Sequence, residues 1–248
     1  MRLSLCTWAE VEAYLARSKG IIVPIGSTEQ HGPNGLMGTD AICAEAVANG
    51  VGEKTGAMVG PVISIGMAQH HLAFAGSITL RPSTMIAFIC DYVFSLARHG
   101  FRRFMFINGH GGNIAPTSTA FSEIYAAASL DPSGTVPRLR CTLRNWFDGP
   151  EVTRLSKDFY GDKLGTHATA AEVALTQHLH PEAIKRVDMP PVVPTRRRFT
   201  DALDLRELHP DGRIGSEPGL ATPEHGRALY EAAVTECAAA WTAFMAEA

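Results

Sequence analysis

A chain of 248 residues with 46% hydrophobic and 19% charged side chains is long enough to bury one large core and too apolar to remain disordered. Its formal net charge of −3 offers no electrostatic footprint for nucleic acid, and no apolar run reaches the roughly 18 residues that a membrane span needs. Five scattered cysteines without a CxxC pair, and a start from Met1 to Glu10 without a signal-type apolar core, point to a reduced, cytoplasmic protein.

Trp8 to Ser18 has helical spacing, and Thr7 with Glu10 forms a capping box in front of it. Gly20-Ile21-Ile22-Val23-Pro24-Ile25 reads as a buried strand, and it feeds a loop that holds Glu29, His31 and Asp40 among glycines. In an extended segment Glu29 and His31 point to the same side and can approach one ion or two adjacent ones. The competing reading makes Glu29 a solvated carboxylate, His31 a turn histidine and Asp40 the N-cap of a helix beginning at Ala41. That helix is expected over Ala41 to Val51, with Ile42, Ala46 and Val47 on its apolar face.

A second strand is expected within Ala57 to Ile65, at an edge or bulge because Pro61 interrupts it. The loop from Gly66 to Leu80 carries His70 and His71 and ends in a short alternating strand, and a helix follows from Arg81 to Arg98 with Gly100 as its stop. Phe104-Met105-Phe106-Ile107 is a compact strand running into Asn108-Gly109-His110-Gly111-Gly112-Asn113. Glycines, a histidine and asparagines between strand and helix mark the carboxyl end of a strand as a binding crevice, with His110 as a further ligand. A phosphate-cradling loop is the alternative there, but no Lys-Ser or Lys-Thr follows the glycines.

Pro116 to Ala127 reads as a helix, Arg138 to Leu143 as the next strand, and Trp146-Phe147 as an aromatic pair able to wall a pocket. Lys157 to Gly165 is polar and reads as a flap. His167 and Glu172 open the next helix, about 140° apart if both were helical. They share a pocket only with His167 at the cap, which is where we place it. From Pro181 to Leu220 regular signals fade, with Met189 to Pro194 extended and Arg196-Arg197-Arg198 a solvated turn; this region is an oligomer arm or a lid. The last helix, from Pro223 to about Ala246, buries Leu229, Ala232, Ala233, Cys237, Trp241 and Phe244. With no internal repeat and no linker, one domain is expected across residues 1–248.

Taken in order, these blocks resemble the creatininase family of metal-dependent amidohydrolases. The matching pieces are Gly26-Ser27-Thr28-Glu29-Gln30-His31-Gly32-Pro33 with Gly38-Thr39-Asp40, the block from His71 to Thr79, Asn108 to Asn113, and His167 with Glu172. The resemblance implies an α/β fold, a three-layer α/β/α sandwich with a mostly parallel sheet, and a homo-oligomer, often a hexamer. It implies two divalent metal ions per chain, with Asp40 bridging them, Glu29 and His110 completing one site and His31 in the other. Creatininase itself takes a further carboxylate from two positions after the glycine-loop histidine. Here that position is Gly112, so Glu172 is inferred to take its place, and creatinine itself is in doubt as substrate.

A mixed oxygen and nitrogen ligand set suits Zn2+, Mn2+ or Fe2+. Two cations sharing a carboxylate can acidify a water from about 15.7 toward 7 and polarise a carbonyl. His167 is then the expected proton shuttle, Glu172 its companion at the site, and His71, Ser77, Asn113 and Trp146 are expected around a small-molecule substrate. The leading expectation is a dinuclear amidohydrolase cleaving a cyclic or linear amide of a small polar molecule. The alternatives are a ring-opening hydrolase or isomerase of a keto-sugar or lactone, and a non-catalytic family member.

Overall fold

The computed structural model describes residues 1–192 and 197–247. Four strands, β1 (Gly20–Ile25), β2 (Met58–Val59), β3 (Arg103–Asn108) and β4 (Arg140–Asn145), form one sheet in the order β2-β1-β3-β4, and every pairing is parallel. Every residue of β1 is buried, because side chains that alternate across a covered sheet meet apolar partners on both faces. Ile21, Val23, Ile25, Phe104 and Phe106 join one core with α1 (Trp8–Leu15), α3 (Pro82–Arg98) and α4 (Ile114–Leu130). Ile22, Met105 and Ile107 join the other with α2 (Thr39–Thr55), α5 (Pro150–Tyr160), α6 (Ala170–Leu179) and α8 (Pro223–Ala246). The result is the expected three-layer α/β/α sandwich.

The Thr7–Glu10 capping box is present at α1, and the buried stripe of α8 runs through Leu229, Ala233, Cys237, Trp241 and Phe244. In α2 the buried stripe is Cys43, Ala44, Val47, Ala48 and Val51 rather than Ile42 and Ala46, because the helix starts at Thr39 and turns a neighbouring face to the sheet. The edge strand pairs only at Met58–Val59; beyond Pro61, Ile63 returns to make a single bridge with Ile25. The short strand expected at the end of the loop from Gly66 to Leu80 is one antiparallel bridge, Thr28 to Ile78, and β4 lies two residues later than its alternation suggests.

The polar stretch expected as a flap is largely helical. Pro150 occupies the first turn of α5, and Val152, Ser156 and Tyr160, four apart, are its buried stripe. A further helix, α7 (Ala202–Leu208), starts at Asp201, whose side chain accepts from the Leu203 and Asp204 N–H groups. Arg197 pairs with Asp204 and Glu207 on the surface and Arg198 is exposed, while Arg196, Val193 and Pro194 lie outside the described residues. Among the described residues no helix is long and apolar enough to cross a membrane.

Candidate metal centre

The two central strands, β1 and β3, end side by side and release the loops 26–38 and 109–113 at the same edge of the sheet. Gly26 and Gly109 allow those loops to close on the first turn of α2: a Cβ at Gly26 would strike Ala41 N, and one at Gly109 would strike Asp40 O. Asp40 is therefore not a solvated cap. Gly38 occupies the N-cap position, and Asp40 stands inside the first turn, 2% exposed.

Five side chains that are remote in sequence converge there. His31 Nε2 lies 3.0 Å from Asp40 Oδ1 and 3.9 Å from Glu172 Oε1. His110 Nδ1 lies 3.2 Å from Asp40 Oδ2, and His110 Nε2 lies 3.3 Å from Glu29 Oε2. The two oxygens of one carboxylate thus face imidazoles from two different strand-end loops. Ligand atoms lie within 4.8 Å of one another in three overlapping groups: Glu29, Asp40 and His110; His31, Asp40 and Glu172; Glu29, His31 and His167.

Backbone carbonyls set which ring nitrogen is free. His31 Nδ1 lies 3.1 Å from Glu29 O and donates there, so Nε2 turns its lone pair to Asp40 in the neutral ring. His110 Nε2 donates to Met67 O at 3.0 Å, leaving Nδ1 toward Asp40. His167 Nε2 donates to Gln30 O at 2.8 Å, leaving Nδ1 3.6 Å from Glu29 Oε1.

Both carboxylate oxygens of Glu29 and Oδ2 of Asp40 are buried with no hydrogen-bond partner among the described residues. Buried acceptors in native proteins are almost always satisfied, and a buried anion is costly unless a cation or donors meet it. These orphaned oxygens, with the lone pairs of His110 Nδ1 beside Asp40 Oδ2 and of His167 Nδ1 beside Glu29 Oε1, fit divalent cations. Without them the cluster holds its own protons. Burial, with Asp40 beside it, pushes Glu29 up to about 7, and burial likewise raises Glu172. Burial opposes charge on His31 and His110, but the surrounding carboxylates, Asp40 foremost for His31 and Glu29 for His110, hold them up to about 10 and about 9. Burial opposes ionisation of Asp40 too, yet His31 and His110 hold it below the usual carboxylate range.

Glu172 has a second task. It closes a capping box on α6, its Oε1 accepting from Thr169 N at 2.5 Å while Thr169 Oγ1 accepts from Glu172 N. The cap is thus Thr169, not His167. His167 lies two residues earlier, bridged to Ile214, and Ala168 between them takes a left-handed backbone (φ 51°) that swings the imidazole toward Glu29. Burial and the neighbouring His31 charge hold the His167 imidazole well below its ordinary range, so it is neutral.

His71 is buried beside the cluster, its Nε2 3.3 Å from Glu29 Oε1 and its Nδ1 2.9 Å from the Gln30 amide. Trp146 lines the cavity above the cluster and is buried, with no acceptor for its indole N–H among the described residues. Ser77 and Asn113 are not among the cavity-lining residues. Ser77 Oγ accepts from Gln30 N, while Asn113 donates to Gly26 O and Asn108 Oδ1 and accepts from Met67 N, so both are committed to fastening loops. Sequence reasoning missed Gln30, whose amide reaches His71, His167, Gly32 N and Gly212 O; such a hub has little local signal, since three of these partners lie 41, 137 and 182 residues away. It also missed Phe199, which stacks on His70 at 5.4 Å and lines the cavity.

The sequence model of the creatininase family, described as creatinine amidohydrolase, matches residues 4–241. The chain belongs to the creatininase family. It is 29% identical over 238 residues to a mycofactocin precursor peptide peptidase of Mycobacterium tuberculosis, covering 89% of this chain and 83% of the relative. It is 34% identical over 202 residues to a creatinine amidohydrolase of Pseudomonas putida, covering 75% of each. Among solved structures, "Creatininase Mn" shares the fold with a TM-score of 0.82 at 24% identity, covering 99% of both chains. A Cβ at Gly112 would lie 2.5 Å from His110 Nε2 and 2.6 Å from Met67 O, so no carboxylate fits there while His110 keeps this position.

Proposed function

We propose that the chain is a dinuclear metal-dependent hydrolase that cleaves the carbon–nitrogen bond of an amide. The observation that carries this reading is Asp40, a buried carboxylate with Oδ1 toward His31 and Oδ2 toward His110, each imidazole presenting a lone pair once its other nitrogen is engaged by a backbone carbonyl. Glu29 and His110 would hold one cation with Asp40, and His31 and Glu172 the other. Cations bound there supply Lewis acidity, which acidifies a water and polarises a carbonyl; Zn2+, Mn2+ and Fe2+ suit the mixed donor set.

The chain's own groups do the rest. Neutral His167 accepts a proton from the attacking water at Nδ1 and returns it to the leaving nitrogen, with Nε2 anchored on Gln30 O throughout. Asp40, buried and fixed in the first turn of α2, keeps the donors at a constant separation, so little reorganisation accompanies the reaction. Trp146, buried at the wall of the cavity above the cluster, presents apolar surface there.

The test is hydrolysis of a panel of cyclic amides, formamides and lactones by protein stripped with a chelator and reloaded with zinc or manganese. Metal-dependent release of an amine supports the reading. Turnover of lactones with no amide cleaved by either loaded form contradicts it and favours the ring-opening alternative.

A further inference from the structure

The cavity above Asp40, His110 and Glu172 has a volume of about 500 Å3, within the roughly 300–1,000 Å3 of sites that enclose drug-sized ligands. Its titratable lining consists of those three residues with His70, His71 and His167. Everything else in the wall is neutral. Trp146, Phe147, Leu164, Phe199 and Ile214 form the apolar part, and Thr153, Ser156, Thr166 and Thr169 supply hydroxyls. Among the described residues no lysine or arginine lines it.

The apolar wall is assembled rather than incidental. Trp146 and Phe147, directly after β4, meet edge to face at 5.8 Å. Phe199 is carried in from the segment before α7 and lies nearly parallel to His70, at 5.4 Å and 25°. Leu164 and Ile214 come from two loops tied by the bond from Thr166 N to Ile214 O at 2.9 Å. Phe147, Leu164, Phe199 and Ile214 are only half-buried, so they retain apolar surface for a ligand to cover.

We propose that this site takes an uncharged amide whose scissile bond is flanked by an aromatic or bulky apolar group, and that it discriminates against amides bearing a carboxylate or phosphate. The inference rests on the metal-hydrolase reading and names its substrate class. Covering the half-buried aromatic and aliphatic surface removes apolar area from water, which favours an apolar flank. An anion placed against the same wall leaves water and, among the described lining residues, meets no lysine or arginine, so its desolvation is not offset there. Aromatic rings prefer offset or edge-on aromatic partners, and Phe147 and Phe199 both line the cavity.

Three hydroxamates, which share one metal-chelating head, separate these terms: acetohydroxamate, benzohydroxamate and the monohydroxamate of succinate, titrated by calorimetry into the full-length, metal-loaded protein. Benzohydroxamate is expected to bind tighter than acetohydroxamate by about tenfold or more, and the succinate derivative no tighter than acetohydroxamate. Phe199→Ala and Phe147→Ala should each lower benzohydroxamate affinity more than acetohydroxamate affinity, and Phe147→Lys should turn preference toward the succinate derivative. Equal binding of the aceto and benzo compounds to fully loaded protein, or tightest binding of the anion, overturns this proposal and leaves the hydrolase reading standing. A protein that takes up no metal overturns both.

Discussion

A Cβ at Gly112 would stand 2.5 Å from His110 Nε2. Gly112 and His110 therefore constrain each other: the ring can donate to Met67 O and turn Nδ1 toward Asp40 only while residue 112 has no side chain.

Gly112→Ala is expected to displace His110 and lower affinity for the more weakly held ion by about ten- to hundredfold, while the far-ultraviolet circular dichroism is unchanged. Gly112→Glu, which supplies the carboxylate that the resemblance to creatininase implies at this position, should lose metal in the same way and gain no creatinine hydrolysis. Retained metal with new creatinine turnover would show that the loop re-forms around the carboxylate.

Glu172 can be divided by substitution. Gln at this position keeps the acceptor for Thr169 N and removes the charge near His31, whereas Ala removes both. Thermal unfolding of the metal-free protein should show Glu172→Ala less stable than Glu172→Gln by about 1 kcal/mol, the worth of a helix cap. Calorimetry should show both variants weakened in metal binding. Equal stability of the two would mean that the capping box contributes nothing.

Ala168 tests the turn that aims His167. A left-handed alanine carries about 1 kcal/mol or more of strain, so Ala168→Gly should stabilise the fold by up to about 1 kcal/mol, less the entropy that glycine adds to the unfolded chain. The side chain is fully buried, so Ala168→Val should be destabilising and slow turnover by shifting the imidazole. Chemical denaturation measures the first effect and steady-state kinetics the second.

Metal uptake should be coupled to proton release. In the metal-free cluster His31 and His110 hold protons up to about 10 and about 9, and Glu29 up to about 7, so at pH 7.5 binding must expel the imidazole protons. Affinity should rise from pH 6 to pH 9, and calorimetry in buffers of different ionisation enthalpy should count about two protons released near pH 7.5. Fewer should be released above pH 10. Affinity independent of pH across this range would mean that these rings are already unprotonated.

What was legible in the sequence follows from local physics. Gly20 to Ile25 and Phe104 to Ile107 read as strands because both faces are covered, and an unbroken apolar run records that directly. Glu29, His31 and His110 could be picked out because each sits in a glycine-rich loop at a strand end, and Asp40 because it stands in the first turn of the helix that follows one of them. Helix α5 was hidden because its buried stripe of Val152, Ser156 and Tyr160 is only weakly apolar, and α7 because seven residues leave little periodicity to detect. Ser77 and Asn113 look like pocket groups in sequence, but their hydrogen bonds are spent on backbone partners far away in the chain. The cap of α6 was misplaced onto His167, although Thr169 with Glu172 three residues later is itself a capping-box pattern.

The most direct measurement is metal content by plasma emission spectroscopy of the purified wild-type protein and of Asp40→Ala. With Asp40 joining two sites, the wild type should carry about two divalent ions per chain and Asp40→Ala close to none, since both sites lose a shared oxygen donor. A wild type with fewer than about half an ion per chain, or an Asp40→Ala variant that keeps both, would contradict the bridged pair on which the hydrolytic reading stands.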